Sequence, residues 1–350
     1  MSDSVRAALA SIVEGRTLTL EEARLAMGAV MDGEATPAQL AAMLMGLRMR
    51  GETVEELAGF ASAMRERVLK VEAPEGAIDV VGTGGDGSNT FNISTAAALV
   101  VASAGVPVAK HGNRAITSRS GSADVLEALG IRIDHDAESA SRALRDLGFA
   151  FMFAPAFHPA MRHAGPTRRE IGFRTSFNLV GPLTNPAGAR RALIGVADGS
   201  IAARIAQVAA LLGTDRTLVV HGEHVDELPL DGTGEVHDVF GDGILSFTVN
   251  VEGLGLERAP TSALAGGTAA ENAAILASIF AGETGPRRDV VVLNAGAAFV
   301  ASGTVDGFDE GVEAARAALD AGKPRELVAR LRAGKAAADA ARPAEAVAKP

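Results

Sequence analysis

The sequence predicts an α/β protein: a small N-terminal all-α domain, then a larger α/β domain with a central, mostly parallel sheet flanked by helices. Three observations carry that expectation. The first seventy residues are helical in signal. From Ile78 onward, short apolar β-branched runs alternate with helical patterns, as they do in a parallel sheet covered on both faces. At 350 residues and 47% hydrophobic content the chain can bury one large core or two smaller ones. The expected boundaries are 1–75 for the helical part, completed by part of 155–186, and 76–345 for the α/β part.

In the helical part, Thr19 with Glu22, Thr36 with Gln39 and Thr53 with Glu56 each match the capping-box pattern ahead of an apolar-periodic run. Pro37 falls at a first helical position, where a missing N–H costs nothing. Gly15, Gly33 and Gly51 follow the ends of the runs. Leu40, Met43, Leu44 and Leu47 recur at helical spacing. Four short helices bury little alone, so this part needs the main domain or a second copy of itself as a partner surface.

In the remainder, strands are expected at Val106–Ala109, Phe149–Phe153, Ala192–Val196, Thr217–Val220 and Asp289–Leu293, besides the one ending at Val81. Helices are expected at Ala96–Ala104, Ser122–Leu129, Ala137–Leu147, Ser200–Leu212 and Ala269–Phe280. Glu235–Asn250 reads as a β-hairpin turning at Gly241-Asp242-Gly243. Pro155–Pro186 has no clean period and is expected to cross back toward the helical part, and the tail after Gly334 is expected to fray.

Composition excludes several function classes. The net charge of −10 argues against nucleic acid or an anionic membrane as the main partner, and the absence of Trp and Tyr removes the usual base-stacking residues. With no cysteine, disulfides and thiolate chemistry are excluded. No basic leader with an apolar core and no membrane-length apolar window is present, so a soluble cytoplasmic protein is expected.

The chemistry concentrates first at Asp79–Thr95, DVVGTGGDGSNTFNIST. Gly82, Gly84, Gly85 and Gly87 let backbone N–H groups approach a ligand closely, and the helix start at Asn92, Ser94 and Thr95 suits phosphate. The same residues would also serve a plain strand-to-helix turn capped by Ser94 or Thr95. Asp86 would repel a bare phosphate, so a ribose hydroxyl or a metal fits the loop better. The spacing matches neither the Walker loop nor the dinucleotide fingerprint. Lys110-His111-Gly112-Asn113-Arg114-Ala115 follows the next strand and would share its rim, continuing into the hydroxyl-rich Thr117–Ser122. Asp226-Glu227 lies on the same rim; adjacent acids suit one or two Mg²⁺ better than paired acid–base work. Arg168 could fork onto a carboxylate, and His158 reads as a packing histidine. A basic loop, a surface acid pair and a locally paired arginine are the bland alternatives for these segments. No Ser-His-Asp order or zinc spacing is evident.

Taken together, GTGGD at Gly82–Asp86, NIST at Asn92–Thr95, KHGNRA at Lys110–Ala115, GSADVLEALG at Gly121–Gly130, HPAMRHAGPTRREIGFRTSFNLVGPLTNPA at His158–Ala187 and the Asp226-Glu227 pair resemble the anthranilate phosphoribosyltransferases. The likeness spans almost the full chain; Ser176 departs from it, standing where that family usually has a β-branched apolar residue. The resemblance implies transfer of a phosphoribosyl group from 5-phosphoribosyl 1-diphosphate to the anthranilate amine in tryptophan biosynthesis. It assigns phosphoribosyl diphosphate to Gly82, Gly85, Asp86, Thr90, Asn92, Ile93, Ser94, Thr95, Lys110, His111, Gly112, Asn113, Arg114, Ala115, Ser118 and Ser122. It assigns anthranilate to Gly82, Asn113, His111, His158 and Arg168, and Mg²⁺, two ions per subunit, to Ser94, Asp226 and Glu227. No general acid or base is implied, and Lys110 would support the transition state. The helical part would be a homodimerisation domain. A pyrimidine nucleoside phosphorylase would need a Lys-x-Ser loop that the chain lacks, and a nucleic-acid-binding relative would need a basic surface.

Overall fold

The computed structural model describes residues 2–115, 119–241 and 243–340. Four helices open the chain: α1 (Asp3–Val13), α2 (Leu20–Met31), α3 (Pro37–Arg50) and α4 (Val54–Glu66). The three expected capping boxes form at α2, α3 and α4, each with the threonine side chain accepting from the third residue's N–H. Glu56 then does more than cap α4: its carboxylate also accepts the Leu18 N–H at 2.8 Å and pairs with Arg50, tying α3, α4 and the loop before α2 to one buried acid.

A seven-stranded sheet follows, in the order β3-β2-β1-β4-β5-β6-β7. Its members are β1 (Ile78–Gly82), β2 (Val108–Gly112), β3 (Phe149–Phe153), β4 (Arg191–Gly195), β5 (Arg216–His221), β6 (Gly234–Phe240) and β7 (Gly243–Val249). The first five run parallel, and the expected hairpin adds β6 and β7 antiparallel at one edge. Strand alternation sorts the core. Ile78, Val80, Leu193, Leu218 and Val220 face α5 (Ile93–Ser103) and the C-terminal helices. Ile194 and Val219 face the other side, where the Ala202–Leu211 helix joins them to the buried residues of α1–α4.

Several expectations shift by a few residues. The second strand begins at Val108 rather than Val106, and the helix expected from Ser200 begins as a 3₁₀ turn at Gly199–Ile201. The last helix, Lys323–Ala340, runs beyond Gly334 because Leu327, Val328 and Leu331 are buried. One expectation is overturned: Asp289–Leu293 is no strand but part of the helix Pro286–Ser302. That helix is enclosed on nearly every side, with Val290 through Ser302 all buried, so its sequence carries no amphipathic period and its Val-Val-Val-Leu run imitates a buried strand. Pro286 at its first turn and its 17-residue length were the signals of a helix.

The Pro155–Pro186 segment does cross to the helical part: Ala164, Phe177, Val180 and Leu183 join the apolar cluster of α1–α4. The crossing also carries a polar tie. Ser176, fully buried, donates its hydroxyl to Glu52 Oε1 at 2.7 Å, and Glu52 is itself only 5% exposed. A serine here, in place of an apolar residue, is therefore matched to a buried acid that needs a donor. Ser176→Ala removes that donor and is expected to lower the free energy of unfolding by about 1–3 kcal/mol in a urea titration. An unchanged midpoint would mean that Glu52 draws its support elsewhere.

Candidate active site

The C-terminal ends of β1, β4 and β5 bring the glycine loop and the Asp226-Glu227 segment into contact. Glycine makes that approach possible. A Cβ on Gly82 would lie 2.4 Å from Asp226 Oδ2, and one on Gly195 would lie 1.5 Å from the Asp226 carbonyl oxygen. The loop is pinned from both sides. Thr83 N–H donates to Gly195 O at 2.8 Å, and Gly84 N–H donates to Asp226 Oδ2 at 2.6 Å. Gly84 and Gly85 sit at φ of 64° and 72°, in the left-handed region open to glycine.

Three carboxylates meet beside the loop. Oxygen atoms of Asp86, Asp226 and Glu227 all lie within 4.8 Å of one another. Burial, then the charge of Asp86, pushes Asp226 up to about 6; burial, then the charges of Asp226 and Asp86, pushes Glu227 well above the usual carboxylate range. The N–H of Ser94, in the first turn of α5, supports Glu227, which places Ser94 at the cluster. Glu227 Oε2 is buried and has no hydrogen-bond partner among the described residues. An orphaned buried oxygen among crowded acids is the arrangement a divalent cation relieves, and all-oxygen ligands are those that Mg²⁺ takes. The residues fit the ion.

Lys110, only 2% exposed, points its ammonium at the Val80 carbonyl. Burial pushes it down to about 8, while the charges of Asp79, Glu227 and Asp226 oppose that shift. His111 and His158 lie with ring centroids 5.0 Å apart, and both Nε2 atoms are buried without partners among the described residues. Burial, reinforced for His111 by its neighbours His158 and Lys110, pushes them down to about 3 and about 4, so both rings are neutral at pH 7. His158 packs against His111 as a buried ring that keeps one polar atom without a partner among the described residues.

The other expected residues differ in their surroundings. Ile93 and Thr95 are buried in the first turn of α5, and Thr95 Oγ1 has no partner among the described residues. Neither Ser94 nor Thr95 caps that helix; Asn92 holds the cap position. Thr90 shares a hydrogen bond with Ser88 at 3.2 Å, and Ser88 Oγ in turn donates to Asp86 at 2.8 Å. Gly112 leaves room for Phe151 and for Ser122, whose hydroxyl donates to Asn113 O at 3.3 Å. Asn113 is exposed, and Ala115 N–H donates to Asp124 at 2.9 Å. Ser118 lies outside the described residues. Arg114 spends its guanidinium on Asp124 and Glu127, at 2.8 and 2.9 Å, rather than presenting it to the loop. Arg168 stacks over Phe177 at 4.7 Å and has no ion-pair partner among the described residues.

Three residues that sequence reasoning passed over build the site. Arg174 donates to the carbonyl oxygens of Thr83, Gly84 and Gly85, at 3.0 Å to the first and 3.2 Å to the last, so those carbonyls are held on the guanidinium side of the loop. Asn272 donates to Asn92 Oδ1 at 2.9 Å, and Asn92 donates onward to Ser120 O at 3.1 Å. Asn294 accepts the Leu228 N–H at 2.9 Å and donates to the Leu228 carbonyl at 3.0 Å, fixing the backbone next to Glu227. The signal for Arg174 was its place in the crossing segment. Asn294 directly follows Asp289–Leu293, whose apolar run reads as a strand.

A helical module before a sheet whose strand ends carry a glycine loop, buried acids and a lysine defines a class of transferases. The family model described as "Glycosyl transferase family, a/b domain" matches residues 74–325, and the one described as "Glycosyl transferase family, helical bundle domain" matches residues 6–68. Among curated proteins, an anthranilate phosphoribosyltransferase of Chloroflexus aggregans is 52% identical over 94% of this chain and 98% of its own length. The crystal structure of that enzyme from Thermus thermophilus superposes with a TM-score of 0.89 at 47% identity, covering 94% of this chain and 99% of the other. The Saccharomyces cerevisiae enzyme in complex with PRPP and Mg matches with a TM-score of 0.88 at 25% identity, over 96% and 99% of the two chains. This chain belongs to the anthranilate phosphoribosyltransferase family.

Because protons and a cation compete for the acid cluster, Mg²⁺ affinity is expected to weaken as pH falls through 6, approaching about tenfold per pH unit for each proton displaced. Calorimetric titrations at a series of pH values check this, and a flat profile between pH 5 and 7 would refute it. Arg174→Ala frees three loop carbonyls and is expected to raise the KM for phosphoribosyl diphosphate by about tenfold or more, the worth of one or two charge-assisted hydrogen bonds. Steady-state kinetics with that substrate varied is the check.

Proposed function

We propose that this chain joins anthranilate to the phosphoribosyl group of 5-phosphoribosyl 1-diphosphate, giving N-(5-phosphoribosyl)anthranilate and diphosphate in L-tryptophan biosynthesis. The single observation carrying the site assignment is the meeting of Asp86, Asp226 and Glu227 beside the Gly82–Gly85 loop. Gly82, Gly85, Asp86, Thr90, Asn92, Ile93, Ser94, Thr95 and the Lys110–Ala115 segment hold the phosphoribosyl diphosphate. Gly82, Asn113, His111, His158 and Arg168 receive anthranilate. The open guanidinium of Arg168 supports its assignment to the anthranilate carboxylate, and the two neutral imidazoles suit the wall of an aromatic pocket.

The reaction breaks the anomeric C–O bond to diphosphate and forms an anomeric C–N bond. An aniline-type nitrogen carries a free electron pair at neutral pH, and an arylammonium is acidic, so its proton leaves without a strong base. That agrees with two histidines held neutral. Mg²⁺ on Asp226 and Glu227, with Asp86 and Ser94 beside them, would neutralise the departing diphosphate; two ions per subunit are part of the proposal. Lys110 adds a positive charge held in place before the reaction begins. Loop N–H groups and the start of α5 orient the donor, so that the amine meets the face opposite the leaving group.

We also divide the chain at residue 75, with part of 155–186 serving the helical domain, and propose a cytoplasmic homodimer through that domain. The exposed Met45 and Met49 on α3 and Val13 at the end of α1 support an apolar contact there. No helix of the described residues is long and apolar enough to cross a membrane.

Loss of anthranilate fluorescence on mixing with phosphoribosyl diphosphate and Mg²⁺ is the expected outcome. The Asp226→Asn/Glu227→Gln double variant is expected to lose about a hundredfold or more in rate. No loss of signal with the wild-type protein would sink the activity. Full activity in the double variant would sink only the metal assignment.

A further inference from the structure

The sheet opens between β1 and β2. The two strands pair only at Ile78 and Val108, where Ile78 N–H donates to Pro107 O at 2.9 Å. The neighbouring ladders, β1 with β4 and β2 with β3, continue to Gly82 and Gly112. Continued in the parallel pattern, the β1–β2 ladder would next join Val80 N–H to Ala109 O and His111 N–H to Val80 O. The ladder stops there, and three of those four groups take side-chain partners instead, as buried backbone groups must find partners. Ala109 O accepts from Asn185 Nδ2 at 2.8 Å. His111 N–H donates to Asp79 Oδ1 at 3.1 Å. Val80 O accepts from the Lys110 ammonium. Asn185 closes the set by donating to Asp79 Oδ2 at 2.7 Å. Asp79, Asn185 and Lys110 are all buried, so this polar wedge has no share in bulk solvent.

We propose that Asp79 and Asn185 are positioning residues for the phosphoribosyl transfer: they hold the ends of β1 and β2 apart so that Lys110 and His111 are presented to the donor site. The inference rests on the activity proposed above. Its location supports it, since Asp79 lies three residues before Gly82 and the wedge sits at the base of the Lys110–Ala115 segment. Charge supports it too: Asp79 is the strongest of the acids sustaining the charge of Lys110, and Lys110 reciprocally opposes the burial that pushes Asp79 up to about 6. An ordinary β1–β2 ladder would free the lysine from Val80 and close the space the wedge keeps.

The test compares Asp79→Asn and Asn185→Ala with the wild-type protein. An asparagine at 79 cannot accept from both His111 N–H and Asn185 Nδ2 while turning an amide nitrogen toward one of them. Asn185→Ala leaves the Asp79 charge but withdraws the donor to Ala109 O. We expect each folded variant, checked by circular dichroism and thermal midpoint, to lose about ten- to a hundredfold in kcat/KM for phosphoribosyl diphosphate per folded molecule. Calorimetric binding of phosphoribosyl diphosphate with Mg²⁺ should weaken in parallel. Variants that lose thermal stability but keep wild-type kcat/KM and donor affinity per folded molecule, or that fail to fold, would reduce the pair to a structural role and overturn the inference. A wild-type protein that binds the donor but does not consume anthranilate would instead count against the activity, and the binding comparison would still decide the wedge.

Discussion

Charge kept away from water is the constraint on which this structure turns. Lys110 and the acids Asp79, Asp226 and Glu227 share a region where burial is the first influence on every one of them. None could sit there alone without a penalty of several kcal/mol, so each needs a fixed partner. The backbone supplies many: Gly84 N–H for Asp226, Ser94 N–H for Glu227, His111 N–H for Asp79. Those donors exist only because the loop, the first turn of α5 and the parted strands hold them at that spot. The glycines at 82 and 195 follow from the same need, since any side chain there would displace Asp226.

Neutral amides do much of the remaining work. Asn185, Asn272 and Asn294 are buried, and each ties a site residue or its neighbour to an element remote in sequence. An amide both donates and accepts without adding charge, which suits a region already crowded with carboxylates. A lysine or arginine in those places would compete with the incoming cation, and another acid would deepen the repulsion.

The crossing segment joins the helical module to this chemistry. Phe177, Val180 and Leu183 belong to the apolar cluster of α1–α4, while Arg174 grips the glycine loop and Asn185 braces β1 and β2. His158 and Arg168 come from the same stretch. The helical module therefore touches the site through a scaffold that both share, and the Ser176–Glu52 bond fastens that scaffold to the link between α3 and α4.

Much was legible from the chain alone. Capping boxes at Thr19, Thr36 and Thr53 depend on residues three apart, and the strand–loop–helix unit at Ile78–Ser103 depends on local glycine and apolar patterning, so both could be read directly. The sequence by itself also determined which segments meet, because Asp86, Lys110 and the Asp226-Glu227 pair lie at or beyond the ends of strands that a parallel sheet puts on one rim. Only the tertiary structure decided what those side chains do there. Val290–Leu293 looked like a strand because full burial erases helical periodicity, and the helix it forms delivers Asn294 to Leu228. Arg114 and Arg174 are both arginines in motif-bearing segments, yet one is taken by Asp124 and Glu127 and the other by three loop carbonyls. The gap between β1 and β2 has no local signature either, since its bonds join residues 79, 80, 109, 110, 111 and 185. Local sequence sets propensities and turns; the partners of a buried polar group are chosen by whichever distant atoms the packed sheet brings within hydrogen-bonding reach.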